Sequence, residues 1–140
     1  DLSWISYKSS SVSIVDESIQ FIAKAVKKEH VKINILKSNL FENVNGKFDT
    51  IIFNPPYLPG NPEEDRTIYG GERGQEIIVE FLKNAGKYLK DNGKIYLIMS
   101  SFNDIEGIIK KFRQYDFKEI SKKNFFFHSI FLYEITKRKD

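Results

Sequence analysis

The feature that most constrains the fold is a short apolar run that ends in two prolines, Phe48-Asp49-Thr50-Ile51-Ile52-Phe53-Asn54-Pro55-Pro56-Tyr57. Its residues Ile51, Ile52 and Phe53 are β-branched or aromatic, which predicts a buried strand rather than a helix. That strand has to end at Asn54, because a proline has no N–H for a sheet ladder and favours an extended residue before it. The pattern therefore places an amide side chain and free backbone carbonyls at the carboxyl end of a strand, where open α/β sheets bind their ligands. A plain turn at the end of an edge strand is the alternative.

Composition indicates one globular domain over residues 1–140, with 41% hydrophobic residues. The absence of cysteine excludes disulfides and thiolate metal sites, and two histidines leave little for a histidine site, so we expect no metal. Apolar runs are too short to span a membrane and the first ten residues lack a signal peptide, so we expect a cytoplasmic enzyme. A net charge of +3 permits contact with nucleic acid without requiring it.

Strands and helices alternate along the chain. Besides the central run, strands are predicted at residues 12–15, 33–36 and 95–99, and helices from Asp16 through Val26, over 75–90 and over 105–112. Asp91-Asn92-Gly93 is expected to end the second helix as a C-cap and turn. This alternation predicts a doubly wound, mostly parallel α/β sheet with helices on both faces.

The last part of the chain predicts an antiparallel hairpin at the sheet edge. Its strands are expected over Phe117–Ser121 and Phe131–Ile135, with the turn at Lys122-Lys123-Asn124. His128 is interpreted as a strand residue, without a partner that would suggest catalysis.

The one long loop covers residues 58–75 and is rich in glycine, proline and charge. Loops of this length within a compact domain tend to be functional lids or disordered segments. For Glu72 and Arg73 we expect an exposed loop surface rather than a site.

These features together resemble a known family. Asn54-Pro55-Pro56-Tyr57 after a buried strand, within βαβ repeats that end in a hairpin, resembles the class I (Rossmann-like) S-adenosylmethionine-dependent methyltransferases that act on amino groups. The closer resemblance is to the HemK-like glutamine N5-methyltransferases of peptide release factors, particularly the short archaeal and eukaryotic type. Asn39-Leu40-Phe41-Glu42 and Gly70-Gly71-Glu72-Arg73-Gly74 also match, and the resemblance covers roughly residues 12 to 136.

The resemblance implies a cofactor, S-adenosyl-L-methionine, and a set of site residues. The Asn54 side chain and the Pro55 carbonyl would hold the substrate NH2 group, with Pro56 and Tyr57 completing the catalytic tetrapeptide. Tyr57 either walls the pocket or simply packs the loop. The cofactor would be bound by Asp16 at the ribose, by Asn39 and Leu40 at the adenine, and by Asn54; Asp16 is equally explained as a helix cap.

The chemistry explains these residue types. An amide nitrogen is a poor nucleophile because its lone pair is delocalised, so two acceptors that grip its hydrogens would aim the lone pair at the methyl group. The same grip suits the exocyclic amine of adenine, so N6-adenine methylation of DNA or RNA is an alternative. It is less favoured, because the chain has no spare segment for base flipping. A non-catalytic binding subunit with this fold is the third possibility.

The chain departs from the family pattern at two places. No acidic residue with a glycine-rich loop precedes Asp16, so the family's first strand and its cofactor loop are missing from the sequence, and we expect the gap around residues 8 to 12. Asn39 stands where the family usually has Asp; its carbonyl can still accept a hydrogen bond from adenine.

The resemblance also implies partners. The substrate would be a peptide release factor methylated at the glutamine of its Gly-Gly-Gln loop, and the short type is typically stabilised by a small zinc-binding activator protein. The apolar segment Phe125-Phe126-Phe127 and the edge hairpin are candidates to be covered by that partner.

Overall fold

The computed structural model describes residues 4–6, 11–13, 35, 36 and 38–139. These residues form one sheet of seven strands, in the order β3-β2-β1-β4-β5-β7-β6, and two helices. The strands are β1 Trp4–Ser6, β2 Ser11–Ser13, β3 Ile35–Leu36, β4 Phe48–Phe53, β5 Leu89–Ser100, β6 Tyr115–Asn124 and β7 Ser129–Lys137. The helices are α1 Glu76–Tyr88 and α2 Ile105–Lys111.

The sheet is mixed, since only two of the six neighbouring strand pairs among the described residues are parallel, fewer than the sequence predicts. Strands β2, β3, β4, β5 and β6 run in one direction, whereas β1 and β7 run in the other. β7 lies between β5 and β6 and pairs antiparallel with both, so the predicted hairpin forms the edge of the sheet.

The position between β2 and β4 is filled by β1, which is antiparallel to both neighbours. The sequence predicts that a strand and a loop are missing near this point. Only four residues separate Ser6 from Ser11, whereas parallel neighbours need a crossover of about a dozen residues or more. β1 can therefore pair with β2 only as an antiparallel strand.

β4 ends at Phe53, where the prolines predict that it must. Phe53 is almost fully buried and pairs with Leu97 of β5 in parallel register. Helix α1 covers it with Phe81, whose ring centroid lies 4.5 Å from that of Phe53. Each such buried side chain stabilises the fold by about 1.5–3 kcal/mol, so the end of β4 is anchored firmly just before Asn54.

Helix α1 begins after its cap residue Gln75, as predicted, but it ends at Tyr88 rather than Lys90. The prediction that Asp91-Asn92-Gly93 caps the helix is wrong, because these residues lie within β5. Leu89 is extended, fully buried and paired with Phe48. The ladder then shifts, so the Asn-Gly signal produces an irregularity in the strand instead of a helix end.

The turn of the edge hairpin is also displaced from its predicted position. β6 continues through Lys122-Lys123-Asn124, and the chain turns over residues 125–128, so His128 precedes β7 instead of lying in a strand. The Lys122 ammonium lies 5.3 Å from the Phe131 ring centroid on the facing strand. The Asn124 side chain accepts a hydrogen bond from the Ser129 hydroxyl at 2.7 Å. These cross-strand contacts extend the ladder beyond the local turn signal.

Some predictions fall outside the described residues. They include Asp16, the helix through Val26, Ile33 and His30. Because that helix would cover the second face of the sheet, helices on both faces remain a prediction. Neither α1 nor α2, the helices of the described chain, is long and apolar enough to cross a lipid bilayer.

Candidate active site

Asn54 directly follows β4, with its side chain exposed, and Pro55 and Pro56 are buried beneath it. Among the described residues, none forms a hydrogen bond with the Asn54 side chain or donates one to the Pro55 carbonyl. Two strong acceptors are therefore available at the carboxyl end of β4, the Asn54 side-chain oxygen and the Pro55 carbonyl.

These residues open into a pocket of about 240 Å³, which we call the proline pocket. Its lining combines the tetrapeptide with the long loop: Asn54, Pro55, Pro56, Tyr57, Leu58, Thr67 and Ile68. The sequence did not predict Thr67 and Ile68. Thr67 donates through its hydroxyl at 2.5 Å and its N–H at 2.8 Å to Asp65, and these bonds lower the pKa of the Asp65 carboxyl.

The long loop is folded back on itself beside the pocket. Leu58 N–H donates to the Ile68 carbonyl at 3.2 Å, and Gly70 N–H donates to the Leu58 carbonyl at 3.0 Å. A third bond at 2.9 Å joins Gly60 N–H to the Gly71 carbonyl. This ladder brings Thr67 and Ile68 over the tetrapeptide, so the loop supplies a wall of the pocket.

Two glycines allow the loop to approach the tetrapeptide closely. A Cβ on Gly70 would lie 2.3 Å from the Pro56 carbonyl oxygen, and one on Gly74 would lie 2.4 Å from the Tyr57 carbonyl oxygen. Gly74 also has a φ of +70°, which side chains other than glycine rarely adopt. Glu72 and Arg73 between them are exposed, as predicted.

Asn103, which was not predicted from the sequence, connects three segments: the tetrapeptide, the end of the long loop and the end of β5. Its amide NH2 donates to the Tyr57 carbonyl at 3.1 Å and to the Gly74 carbonyl at 2.9 Å. Its side-chain oxygen accepts from the Ser100 N–H at 2.8 Å and from the Ser100 hydroxyl at 3.3 Å. The only local signal is that polar residues follow the buried strand β5 at its carboxyl end.

The start of α1 is fixed by a carboxylate. Glu76 accepts hydrogen bonds from the N–H groups of Arg73 at 2.9 Å and Gln75 at 3.0 Å. Burial alone would raise the pKa of this carboxyl, but these backbone bonds outweigh it and hold the pKa below its usual value. The ionised carboxylate thereby holds the end of the long loop against the helix N-terminus.

Asn39 lies on a turn that follows β3. Ser38 is buried, and its hydroxyl donates to the Leu40 carbonyl at 2.9 Å and accepts from the Asn43 N–H at 2.9 Å. Phe41 anchors the turn by stacking on Tyr88, with ring centroids 4.4 Å apart. Leu40 has a φ of +49°, a conformation that costs about 1–2 kcal/mol in a non-glycine residue. The burial of Phe41 and the Ser38 bonds hold the turn in this conformation.

The Asn39 side chain is exposed, and its NH2 donates to the Glu42 carboxylate at 2.9 Å. Its oxygen accepts no hydrogen bond from a described residue. Asn39 and Leu40 line a cleft of about 410 Å³, the Asn39 cleft, together with Pro62, Arg66, Glu76, Ile77 and Glu80. The amide oxygen is therefore free to accept a hydrogen bond from a ligand in this cleft.

The structure places Asn39 and Leu40 on the same side of the sheet's carboxyl ends as Asn54, because they follow β3, and β3 and β4 run in the same direction. The Asn39 cleft and the proline pocket share no lining residue, and β2 and β1 lie between the two strands. The third predicted part, Asp16, lies outside the described residues.

The tip of the edge hairpin reaches the proline pocket. The Tyr57 and His128 ring centroids are 5.9 Å apart, and His128 stacks on Phe102 at 5.4 Å and on Phe125 at 5.1 Å. Tyr57 thus both lines the pocket and packs against a neighbouring element. Beyond it, Phe126 and Phe127 are 93% and 85% exposed.

Comparison with known proteins agrees with this geometry. A protein from Methanocaldococcus jannaschii, provisionally named as a protein N5-glutamine methyltransferase, is 38% identical over 117 residues, which are 79% of this chain and 59% of that protein. The release factor glutamine methyltransferase of Streptococcus pneumoniae is 29% identical over 98 residues, or 62% of this chain and 35% of the relative. The chain thus spans 59% or less of the length of these curated relatives.

A solved structure has the same fold. The E. cuniculi Mtq2–Trm112 complex, responsible for methylation of the translation termination factor eRF1, matches with a TM-score of 0.64 at 20% identity, over 87% of this chain and 77% of that chain. The family model of the methyltransferase small domain matches residues 5–127. This match covers most of the chain, and the α/β sheet is consistent with it. The chain belongs to the methyltransferase small domain family.

Proposed function

We propose that this chain is the catalytic core of an S-adenosylmethionine-dependent methyltransferase that modifies the side-chain amide of a glutamine in a peptide release factor. The observation that carries the proposal is a pair of acceptors to which no described residue donates, the Asn54 side-chain oxygen and the Pro55 carbonyl, at the end of a buried strand. The names of the two relatives support glutamine as the acceptor. We further propose that residues 1–140 act as one domain in the cytoplasm, where release factors work.

The chain takes S-adenosyl-L-methionine as its methyl donor, and the described residues fit part of it. The free Asn39 oxygen suits the exocyclic amine of adenine, which donates hydrogen bonds. Leu40 lines the same cleft, and Asp16, outside the described residues, is proposed for the ribose. When bound, the cofactor supplies an electrophilic methyl group on a sulfonium.

Asn54 and Pro55 do the orienting work at the acceptor. A glutamine amide has two N–H donors, and the two acceptors at this point would each take one of them. Gripping both hydrogens fixes the plane of the amide and aims the nitrogen lone pair toward the methyl group. No general base is needed before transfer, because alignment rather than deprotonation makes the nitrogen reactive. The methylated nitrogen would then release one of its two protons to solvent by way of the gripping oxygens, which restores a neutral amide.

The walls of the proline pocket complete the acceptor site. Pro56 and Tyr57 continue the chain beside the grip, and Thr67 and Ile68 close the opposite side. Their role is to exclude water from the amide and to keep it in one plane, which strengthens the hydrogen bonds of the grip.

We also propose that a small zinc-binding protein assists this chain. The E. cuniculi neighbour was solved as a complex with Trm112, and the edge hairpin of this chain exposes Phe125, Phe126 and Phe127. Such exposed aromatic side chains favour coverage by another protein.

The direct test is transfer of a labelled methyl group to a release factor, to the same factor with the glutamine of its Gly-Gly-Gln loop replaced by alanine, and to single- and double-stranded nucleic acid. We expect label only on the unmodified release factor. Label on adenine would replace this proposal with the nucleic-acid alternative, and label on the alanine variant would exclude that glutamine as the acceptor.

A further inference from the structure

Asn103 is a buried amide that lies beside the proline pocket without lining it. It is only 8% exposed and follows the carboxyl end of β5. Both of its NH2 hydrogens and its oxygen are used in bonds of 3.3 Å or less, and all of the atoms that contact it in these bonds are uncharged. A fully bonded buried amide of this kind fixes the relative positions of the segments that it joins.

The segments that Asn103 joins are those that shape the acceptor grip. Through the Tyr57 carbonyl it holds the residue that follows the two prolines, and through the Gly74 carbonyl it holds the end of the long loop. The Ser100 N–H connects this arrangement to β5, which is paired with β4. The chain is thus fixed on both sides of Pro55 and Pro56, by the sheet before them and by Asn103 after them.

The prolines transmit this constraint toward Asn54. Each proline ring fixes φ, so little rotation remains between Asn54 and Tyr57 once both ends are held. The direction of the Pro55 carbonyl therefore depends on where the Tyr57 carbonyl is held. We infer that Asn103 is a positioning residue that aims the Asn54–Pro55 grip at the acceptor amide, an inference that rests on the proposed function.

Only an amide satisfies all of these bonds. A carboxylate could still accept from Ser100 but would place negative charge against the carbonyl oxygens of Tyr57 and Gly74. A protonated carboxyl would restore one donor. Burial and the facing carbonyls favour the protonated form of a carboxyl at this position, whereas the Ser100 N–H and hydroxyl favour the charged form.

The test is a kinetic comparison of the wild type with Asn103→Asp, and with Asn92→Asp as a control at an exposed position near the start of β5. At about pH 8 we expect kcat of Asn103→Asp to fall by about 100-fold with cofactor affinity unchanged, because a small misplacement of reacting groups has an effect of this size. As the pH is lowered to about 6, the deficit relative to wild type should shrink, because the protonated carboxyl regains one donor. The control should match wild type at both pH values.

Asn103→Ser provides a second measurement, since it removes the amide NH2 without placing a charge against the carbonyls of Tyr57 and Gly74. We expect its kcat to lie between those of the wild type and Asn103→Asp, and if the aspartate variant does not fold, a fall of about tenfold in the serine variant supports the inference. Wild-type kcat in either folded variant, or a loss of cofactor affinity as large as the loss of kcat, would overturn it. A wild type that transfers no methyl group refutes the proposed function instead, so the two failures are distinguishable.

Discussion

The candidate site has two ends, a proposed acceptor end at the proline pocket and a proposed adenine end at the Asn39 cleft. They are held in different ways, although both follow the carboxyl ends of strands that run in the same direction. The proline pocket is fixed by contacts between residues far apart in the chain, such as Asn103 with Tyr57 and Gly74. The turn that carries Asn39 is held by hydrogen bonds of Ser38 within the turn and by one distant anchor, Phe41, which stacks on Tyr88 of α1. The acceptor end is therefore held by buried polar bonds between distant segments, and the proposed adenine end by a local turn with an aromatic anchor.

This difference predicts which end tolerates change. At the acceptor end, the backbone itself forms part of the grip, and glycines leave no space for a further atom. At the proposed adenine end, a single exposed side chain would make the contact, so we expect Asn to serve where the resemblance implies Asp. Substitutions at the first end should alter kcat or folding, whereas those at the second should alter only cofactor affinity.

The largest effect is expected at Asn54. Asn54→Ala should lower kcat by about 10³-fold or more, because one of the two acceptors that orient the amide is lost. Cofactor affinity, measured by calorimetry, should change by less than about threefold. Asn92→Ala is the matched control on an exposed part of β5 and should retain wild-type kcat. Loss of both kcat and cofactor binding would mean that Asn54 also holds the cofactor, as the resemblance implies, or has a structural role.

The second prediction distinguishes the cost of backbone strain from the cost of close packing at Gly74. Gly74→Ala should lower the free energy of unfolding by about 2–4 kcal/mol, since a Cβ there meets the Tyr57 carbonyl in a strained conformation. Gly46→Ala is the control, because Gly46 has a φ of +87° with nothing within 4 Å, and it should cost only about 1–2 kcal/mol. Chemical denaturation measures both. Equal losses in the two variants would show that the close approach is unimportant.

A smaller effect is expected at the adenine end. Asn39→Ala should weaken cofactor binding by about five- to tenfold, which corresponds to one hydrogen bond, with no change in the melting temperature. Asn39→Asp should bind about as tightly as the wild type, because the stronger carboxylate acceptor is offset by its repulsion with the Glu42 carboxylate. Calorimetric titration with the cofactor measures both. A fall in kcat at saturating cofactor would contradict the separation of the two ends.

The smallest effect concerns Glu76, which holds the end of the long loop. Its lowered pKa means that its contribution to stability is present above the ordinary value of 4.5 and is lost as the pH falls through the folded-state value. Glu76→Gln should therefore be less stable than wild type by about 0.5 kcal/mol at neutral pH, with the difference vanishing as the pH falls below the folded-state pKa of Glu76. Urea denaturation across this range measures it, with the exposed Glu72→Gln as control. A difference that does not depend on pH would contradict the role of the charge.

The sequence predicted the parts of the fold that local pattern determines. β4 and its end at Asn54 follow from an apolar run and two prolines, and α1 follows from a regular apolar face that the structure buries at Ile78, Phe81 and Leu82. The edge hairpin was also predicted, although its turn was placed too early. Local turn propensity competes there with cross-strand pairing, which is invisible in the order of the residues.

The parts that were missed depend on distant contacts. Thr67, Ile68 and Asn103 enter the site only because the long loop folds back and β5 ends beside it. Nothing in their immediate neighbours distinguishes them from ordinary loop residues. The antiparallel direction of β1 was missed for a related reason, since it follows from the short connection to β2 and not from the composition of either strand.

The most direct test of the central claim, that this chain contains both ends of a methyltransferase site, is equilibrium binding of S-adenosyl-L-methionine to the full chain. The sequence lacks the family's glycine-rich loop, so binding is the step on which the proposal depends most. We predict saturable binding that the demethylated product displaces and that Asn39→Ala weakens. No saturable binding would contradict the account and would favour a non-catalytic subunit with this fold.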